Sequence, residues 1–257
     1  MVRMLYLTLK EAVKERAFYS TLILYLFSLF IYFIVNDFTM FEASKVMFTY
    51  SLSVTEFLTL VLVFFLIFSF LTEDLNKKTI EYLLSLPLKR MDYILGRVFG
   101  IVFSGIFTST LMLSGFVILN ALLFKEFKTV LFLQLPLLWV MMLLITSLAY
   151  FLINASKRPV LISFIILFIY VIGVNLDDAV QFIQTKRAEN IPLISKFLVK
   201  SAYYIFPNFS FFDMKISLSY GLSIGSGHYI LVLLYGLIYS FILILLSILF
   251  FQKKEIK

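Results

Sequence analysis

The sequence predicts an all-α membrane protein with six membrane-spanning helices, and three observations predict it. Of 257 residues, 62% are hydrophobic and 14% charged, against about 45–50% and about 25% in soluble domains. A soluble globule of this size has no interior large enough for that much apolar surface, so the solvent is lipid. Six apolar stretches reach the roughly 20 residues that carry a helix across the hydrocarbon core. They include continuous runs such as Leu58–Leu71 and Ile230–Phe251, unlike the ten-residue alternation of a membrane barrel. Lysine and arginine also gather on one side of the resulting topology. Disorder, a coiled coil and a secreted disulfide scaffold are excluded. Cysteine is absent and His228 is the single histidine, which argues against a metal centre or a histidine-dependent hydrolase. No catalytic or metal-ligating set is expected.

Residues 1–17 precede the first span. At 100° per residue Val2, Leu5, Leu9, Ala12 and Val13 share one face, and Arg3, Lys10 and Lys14 the opposite one. This pattern predicts an amphipathic helix in the headgroup layer. The first apolar run starts too late for a cleavable signal peptide and lacks a small-x-small exit site. The spans follow as Phe18–Val35, Ser51–Leu71, Ile94–Phe124, Val130–Ile153, Val160–Leu176 and Tyr229–Phe251. The third is long enough for a break or a tilt, and Pro136 is a candidate kink in the fourth. With both termini in the cytoplasm, 14 of the 22 lysines and arginines lie inside and 8 outside. Five of those 8 belong to one long loop, which counts less. Cytoplasmic termini are expected.

The loop from Thr72 to Gly100 reads TEDLNKKTIEYLLSLPLKRMDYILGRVFG. Thr72, Asp74 and Asn76 are candidate caps for a new helix. Lys77 to Leu86 contains good helix formers, and Pro87 stops it. Ile80, Leu83 and Leu84 share one face, with Lys77, Lys78 and Glu81 beside them. A three-turn helix of this kind is poorly stable alone. It suits docking into a partner's groove, or packing on the protein's own helix ends.

This stretch resembles the cytoplasmic loop of type-2 ATP-binding cassette (ABC) transporter permeases. The matching residues are Glu73, Thr79, Glu81, Leu83, Leu84, Ser85, Pro87, Arg90, Gly96 and Arg97, with a departure at Lys78, where that family usually has glycine. A second stretch, Tyr203–Lys215 (YYIFPNFSFFDMK), resembles the outer loop of permeases grouped with multi-copper-enzyme maturation. The resemblance implies a six-span exporter subunit in a prokaryotic cell membrane. It implies pairing with a second permease subunit, the same chain or a close homologue, and with separate ATPase subunits. It assigns Lys77, Thr79, Ile80, Glu81, Leu83, Leu84 and Pro87 to a coupling helix that meets the ATPase. The phosphate-binding pattern G-x-x-x-x-G-K-[ST] is absent from the chain. ATP and magnesium are therefore expected on the partner, with no cofactor, no covalent catalysis and no nucleic acid here.

Gly96, Gly100 and Ser104 form a small-residue stripe that permits close helix packing. Glu56 is the one acid inside a span. Ionisable groups in lipid are expensive and face protein or water, so Glu56 is the candidate pathway residue; the bland alternative is pairing with a lysine or snorkelling. Arg97 is expected to snorkel to lipid phosphates. The outer loop, 177–227, is amphipathic and predicts short helices at the membrane face. Its Tyr203, Tyr204, Phe206, Phe209, Phe211 and Phe212 suit an interfacial aromatic belt, and Asn208–Ser210 fits a glycosylation sequon. A glutamate-type intramembrane protease would need paired acids and histidines at mid-membrane, which Glu56 and His228 do not provide. An ATP-independent channel or scaffold is the alternative to the transporter reading. Few polar residues line the spans, which leans toward a hydrophobic or amphipathic cargo.

Overall fold

A computed structural model describes residues 1–39, 42–76, 90–153, 158–184 and 192–253. Most of those residues are helical, with no strand among them. Nine α-helices follow in order: α1 (Val2–Lys14), α2 (Arg16–Phe38), α3 (Ala43–Asn76), α4 (Arg90–Phe124), α5 (Gln134–Leu152), α6 (Pro159–Gln184), α7 (Leu193–Ile205), α8 (Lys215–Tyr220) and α9 (Ser226–Lys253). Six of them, α2 to α6 and α9, are long and apolar enough to cross a membrane. The chain is an all-α membrane protein. Met1 pairs with Asp92 (3.2 Å) and Phe251 stacks on Tyr93, so the start of α1 and the end of α9 meet at one end of the bundle, here called the terminal face; the opposite end is the distal face.

The core is built on α3, α4 and α5, each with more than half of its apolar stretch buried, whereas α2, α6 and α9 bury a third or less. Close packing rests on glycine. A Cβ on Gly105 would meet Met142 Sδ of α5 at 2.5 Å, and one on Gly236 of α9 would meet Val140 at 2.4 Å. Small residues let backbones approach and so supply the dispersion contacts that hold helices together in lipid. Polar bridges add to this. Tyr25 donates to the Met112 carbonyl (3.1 Å), and Tyr32 donates to Asn120 Oδ1 (2.8 Å). Asn120 in turn donates to Ser51 Oγ (3.1 Å), so α2, α3 and α4 share one buried polar chain.

α3 and α4 span 34 and 35 residues. At 1.5 Å per residue each is roughly 50 Å long, well beyond a hydrocarbon core of about 30 Å. The third span is one unbroken helix, without the break its length allowed. α3 runs through Thr72 and Asp74 to Asn76, and the Thr72 hydroxyl bonds the Phe68 carbonyl one turn back; the helix expected to start at Lys77 lies outside the described residues. Pro136 does not kink the fourth span. A 3₁₀ turn at Thr129–Leu133 leads into α5, and Pro136 falls in the first helical turn, where its missing N–H is not needed.

α1 is amphipathic, and it also docks on the bundle, by a stripe that flanks its apolar face. It buries Met4, Thr8 and Ala12, one stripe at four-residue spacing, while Val2 is 80% exposed. The stripe lies against α4, where Cβ atoms on Gly96 and Gly100 would sit 2.5 Å from those of Met4 and Thr8. Polarity marks a wet and a greasy side; the position of a glycine groove on another helix decides which side packs.

At the distal face α6 runs on to Gln184, so Asp177 and Asp178 are helical rather than part of the loop. Beyond it come α7, a 3₁₀ turn at Ser210–Phe212, and α8. The Phe209 N–H donates to the Gly173 carbonyl of α6 (3.1 Å), and Tyr235 of α9 accepts from the Asn208 N–H (3.0 Å). A Cβ at Gly173 would lie 2.4 Å from the Pro207 carbonyl oxygen. The segment is therefore seated between two spans. Phe209 and Phe212 are core residues, not belt residues, while Tyr204 is exposed. Asn208 is 2% exposed, and its Oδ1 accepts from the Ser210 N–H and Oγ, which closes the sequon.

Candidate functional site

Charge is drawn into the bundle at both faces. At the terminal face, Asp74 and Arg97 are the buried charged side chains among the described residues, each 1% exposed. Asp74 lies in the last turn of α3, and Arg97 lies two turns into α4. Arg97 Nη2 donates to Asp74 Oδ1 at 2.7 Å, and Nη1 donates to Glu11 Oε2 of α1 at 2.5 Å. Tyr93 donates a short hydrogen bond to Asp74 Oδ2. The guanidinium stands over the Phe70 ring, 4.7 Å from its centroid. Arg97 thus binds three helices through one planar, multi-donor group. Snorkelling is overturned: two carboxylates within the protein take the place of lipid phosphates. Nearby, Ser69 donates to Glu15 (2.8 Å), and Tyr93 stacks on Phe251 of α9 at 5.9 Å.

Lys77, Thr79, Ile80, Glu81, Leu83, Leu84 and Pro87 lie outside the described residues, in the segment 77–89 that joins α3 to α4. Arg97–Asp74 ties together the two helices from which that segment departs. Gly96 and Gly100 face α1, as above. Ser104 is buried and spends its hydroxyl on the Gly100 and Ile101 carbonyls of its own helix (2.9 Å each).

At the distal face, Glu56 Oε1 pairs with Lys215 Nζ of α8 at 3.0 Å, and Lys215 also reaches Asp213 Oδ2 at 3.3 Å. Gln134 Nε2 lies 3.4 Å from Glu56 Oε2 and donates to the Phe212 carbonyl at 2.9 Å. The Glu56 side chain is 13% exposed. Burial alone would push the Lys215 ammonium down, but Glu56 and Asp213 outweigh it and hold its pKa above the ordinary 10.5. The Glu56–Lys215 pair borders a cavity of about 810 Å³ whose wall includes Tyr170, Asp178, Phe209 and His228. Glu56 therefore both pairs with a lysine and faces an open space.

Sequence reasoning found Glu56 and missed Lys215, Asp213, Asp74 and Glu11. An acid inside an apolar run is conspicuous alone; its partners lie on other elements, and the one sequence signal for Asp74 and Glu11 is Arg97 itself, a cation within the third span. No known protein-family model matches the chain, and no curated protein matches it.

Proposed function

We propose that the chain is the membrane-spanning permease subunit of an ABC exporter in a prokaryotic cell membrane, with both termini in the cytoplasm. A separate ATPase subunit hydrolyses ATP with magnesium, and a second permease subunit completes the pathway. This chain does no covalent chemistry. The observation that supports the reading is the sequence motif Thr79–Pro87 and its position in the chain. In sequence it connects α3 to α4, two helices longer than a bilayer is thick, which are joined near their bases by Arg97 and Asp74.

In this reading the segment 77–86 is the coupling helix. Its Ile80, Leu83 and Leu84 seat in the ATPase, each contributing about 1.5–3 kcal/mol when fully buried. Glu81 adds a charge-assisted hydrogen bond. Closure of the ATPase moves the segment, and the Arg97 lock makes α3, α4 and α1 move as one body. Glu56, on α3, carries that displacement to the distal cavity. Two arrangements of the spans alternate, and the ATPase shifts their balance.

The test is purification of the tagged chain from its native membranes in mild detergent. The expected result is a stoichiometric companion that binds and hydrolyses ATP. Intact permease, extracted without such a companion and indifferent to ATP, contradicts the proposal and favours an ATP-independent channel or scaffold.

A further inference from the structure

The distal cavity carries a charge opposite to that of the chain. The protein has a net charge of +7, yet the cavity wall holds four carboxylates, Glu56, Asp177, Asp178 and Asp213, against one ammonium, Lys215. The carboxylates of the wall outnumber its ammonium four to one. Walls of one sign in a low-dielectric surround concentrate counter-ions. The volume of about 810 Å³ falls in the range of small-molecule sites, roughly 300–1,000 Å³. One side is aromatic, with the Tyr170 and Phe209 rings 5.4 Å apart, a surface that favours organic cations. Among the described residues no three His, Asp or Glu side chains converge as metal ligands.

The independent sign of what the site holds is Lys215 itself. Its ammonium is clamped between Glu56 (3.0 Å) and Asp213 (3.3 Å), so the two carboxylates already form a receptor for an ammonium group. Lys215 reaches this place from α8, a helix of six residues, with the cavity beside it. Asp178 is exposed on the same wall and makes no ion pair or hydrogen bond among the described residues, in contrast to Asp177, which accepts from Gln181 (2.9 Å).

We propose that the cavity binds an amphipathic organic amine, whose ammonium exchanges with that of Lys215 at Glu56 and Asp213 while its apolar body lies along Tyr170 and Phe209. The exchange releases α8 from α3. This names the ligand class of the pathway position proposed for Glu56. It rests on that reading for transport only, because binding needs no ATPase, so loss of binding and loss of ATP coupling are separate failures.

The test uses the full chain, purified in a neutral maltoside detergent, and two fluorescent probes of similar length. N-dansyl-1,8-octanediamine bears a free ammonium; N-octyl dansylamide bears none. The expected result is saturable binding of the diamine probe, roughly tenfold or more tighter than its neutral counterpart, the scale of one charge-assisted hydrogen bond. Lys215→Gln should tighten diamine binding by removing the internal competitor, and Glu56→Gln should weaken it. Asp178→Asn, an exposed change that leaves the fold alone, should weaken it by a smaller factor. Displacement of the probe by stoichiometric phosphatidylethanolamine assigns the natural ammonium to a lipid headgroup. Resistance to that lipid, with displacement by octylamine, assigns it to a soluble amine. Equal affinity for the two probes, or a Lys215→Gln protein that binds the diamine no more tightly than the parent, overturns the proposal.

Discussion

Arg97 and Asp74, 23 positions apart in the chain, meet at 2.7 Å where both are closed to solvent. One belongs to the start of α4 and the other to the end of α3, so the pair clasps the two helices on either side of segment 77–89. Removing one member of a buried pair leaves the other charged and unsolvated, at a cost of about 3–5 kcal/mol. Arg97→Met is expected to destabilise the purified protein on that scale, seen as a lower unfolding temperature in detergent. Arg97→Met combined with Asp74→Leu should cost less than the two single changes added together. Additive losses would show that the two groups do not depend on one another.

The docking of α1 makes a steric claim. Gly96→Leu or Gly100→Leu places side-chain atoms where Met4 and Thr8 now stand. Overpacking of this sort costs about 1–3 kcal/mol, and here it is expected to lift α1 off α4. A cysteine replacing Thr8, which is closed to solvent against α4, should resist a thiol reagent in the parent background and react in Gly96→Leu or Gly100→Leu. A Thr8 cysteine that stays unreactive in those variants would mean that α1 is held elsewhere.

How far such contacts are legible in sequence depends on their range. The six spans were legible because a membrane helix announces itself locally, by some 20 apolar residues. The small-residue stripe on α4 was legible too, since its spacing is a property of one helix. What it packs against was not, because the docking stripe of α1, Met4, Thr8 and Ala12, lies to one side of its apolar face and is selected by the glycines of α4. Glu56 stood out through its cost in lipid, whereas Lys215 looked like any loop lysine. Arg97 was misassigned for the same reason: its anions, Asp74 and Glu11, lie on other helices, and Glu11 is 86 positions away.

Lys215 supplies a pH dependence with a definite sign. Its folded-state pKa is raised above the ordinary 10.5 by Glu56 and Asp213, against the opposing effect of burial. The stabilisation is therefore complete below pH 10.5 and is lost as pH climbs through the raised value. The stability difference between the parent and Lys215→Met is expected to stay level from pH 8 to 10 and to shrink above 10.5. A difference that already shrinks between pH 8 and 10 would contradict the pairing.

The proposed orientation is open to chemical labelling in intact cells. Single cysteines replacing Lys78 or Lys157 should resist a membrane-impermeant thiol reagent, and one replacing Glu126, exposed at the distal face, should react. The reverse pattern would invert the topology and place segment 77–89 out of reach of any cytoplasmic ATPase.

The most direct test of the central claim is the affinity of the ATPase subunit for purified, folded variants of segment 77–86. Loss of one buried leucine contact is worth about 1.5–3 kcal/mol, and 1.4 kcal/mol is tenfold in affinity. Leu84→Asp is expected to weaken the complex by about ten- to a hundredfold, and Glu81→Ala to weaken it less, with both variants remaining inserted and folded. Parental affinity in folded Leu84→Asp protein, accompanied by a lower stability of the permease alone, would show that this ridge packs on the chain's own helices and would remove the coupling assignment.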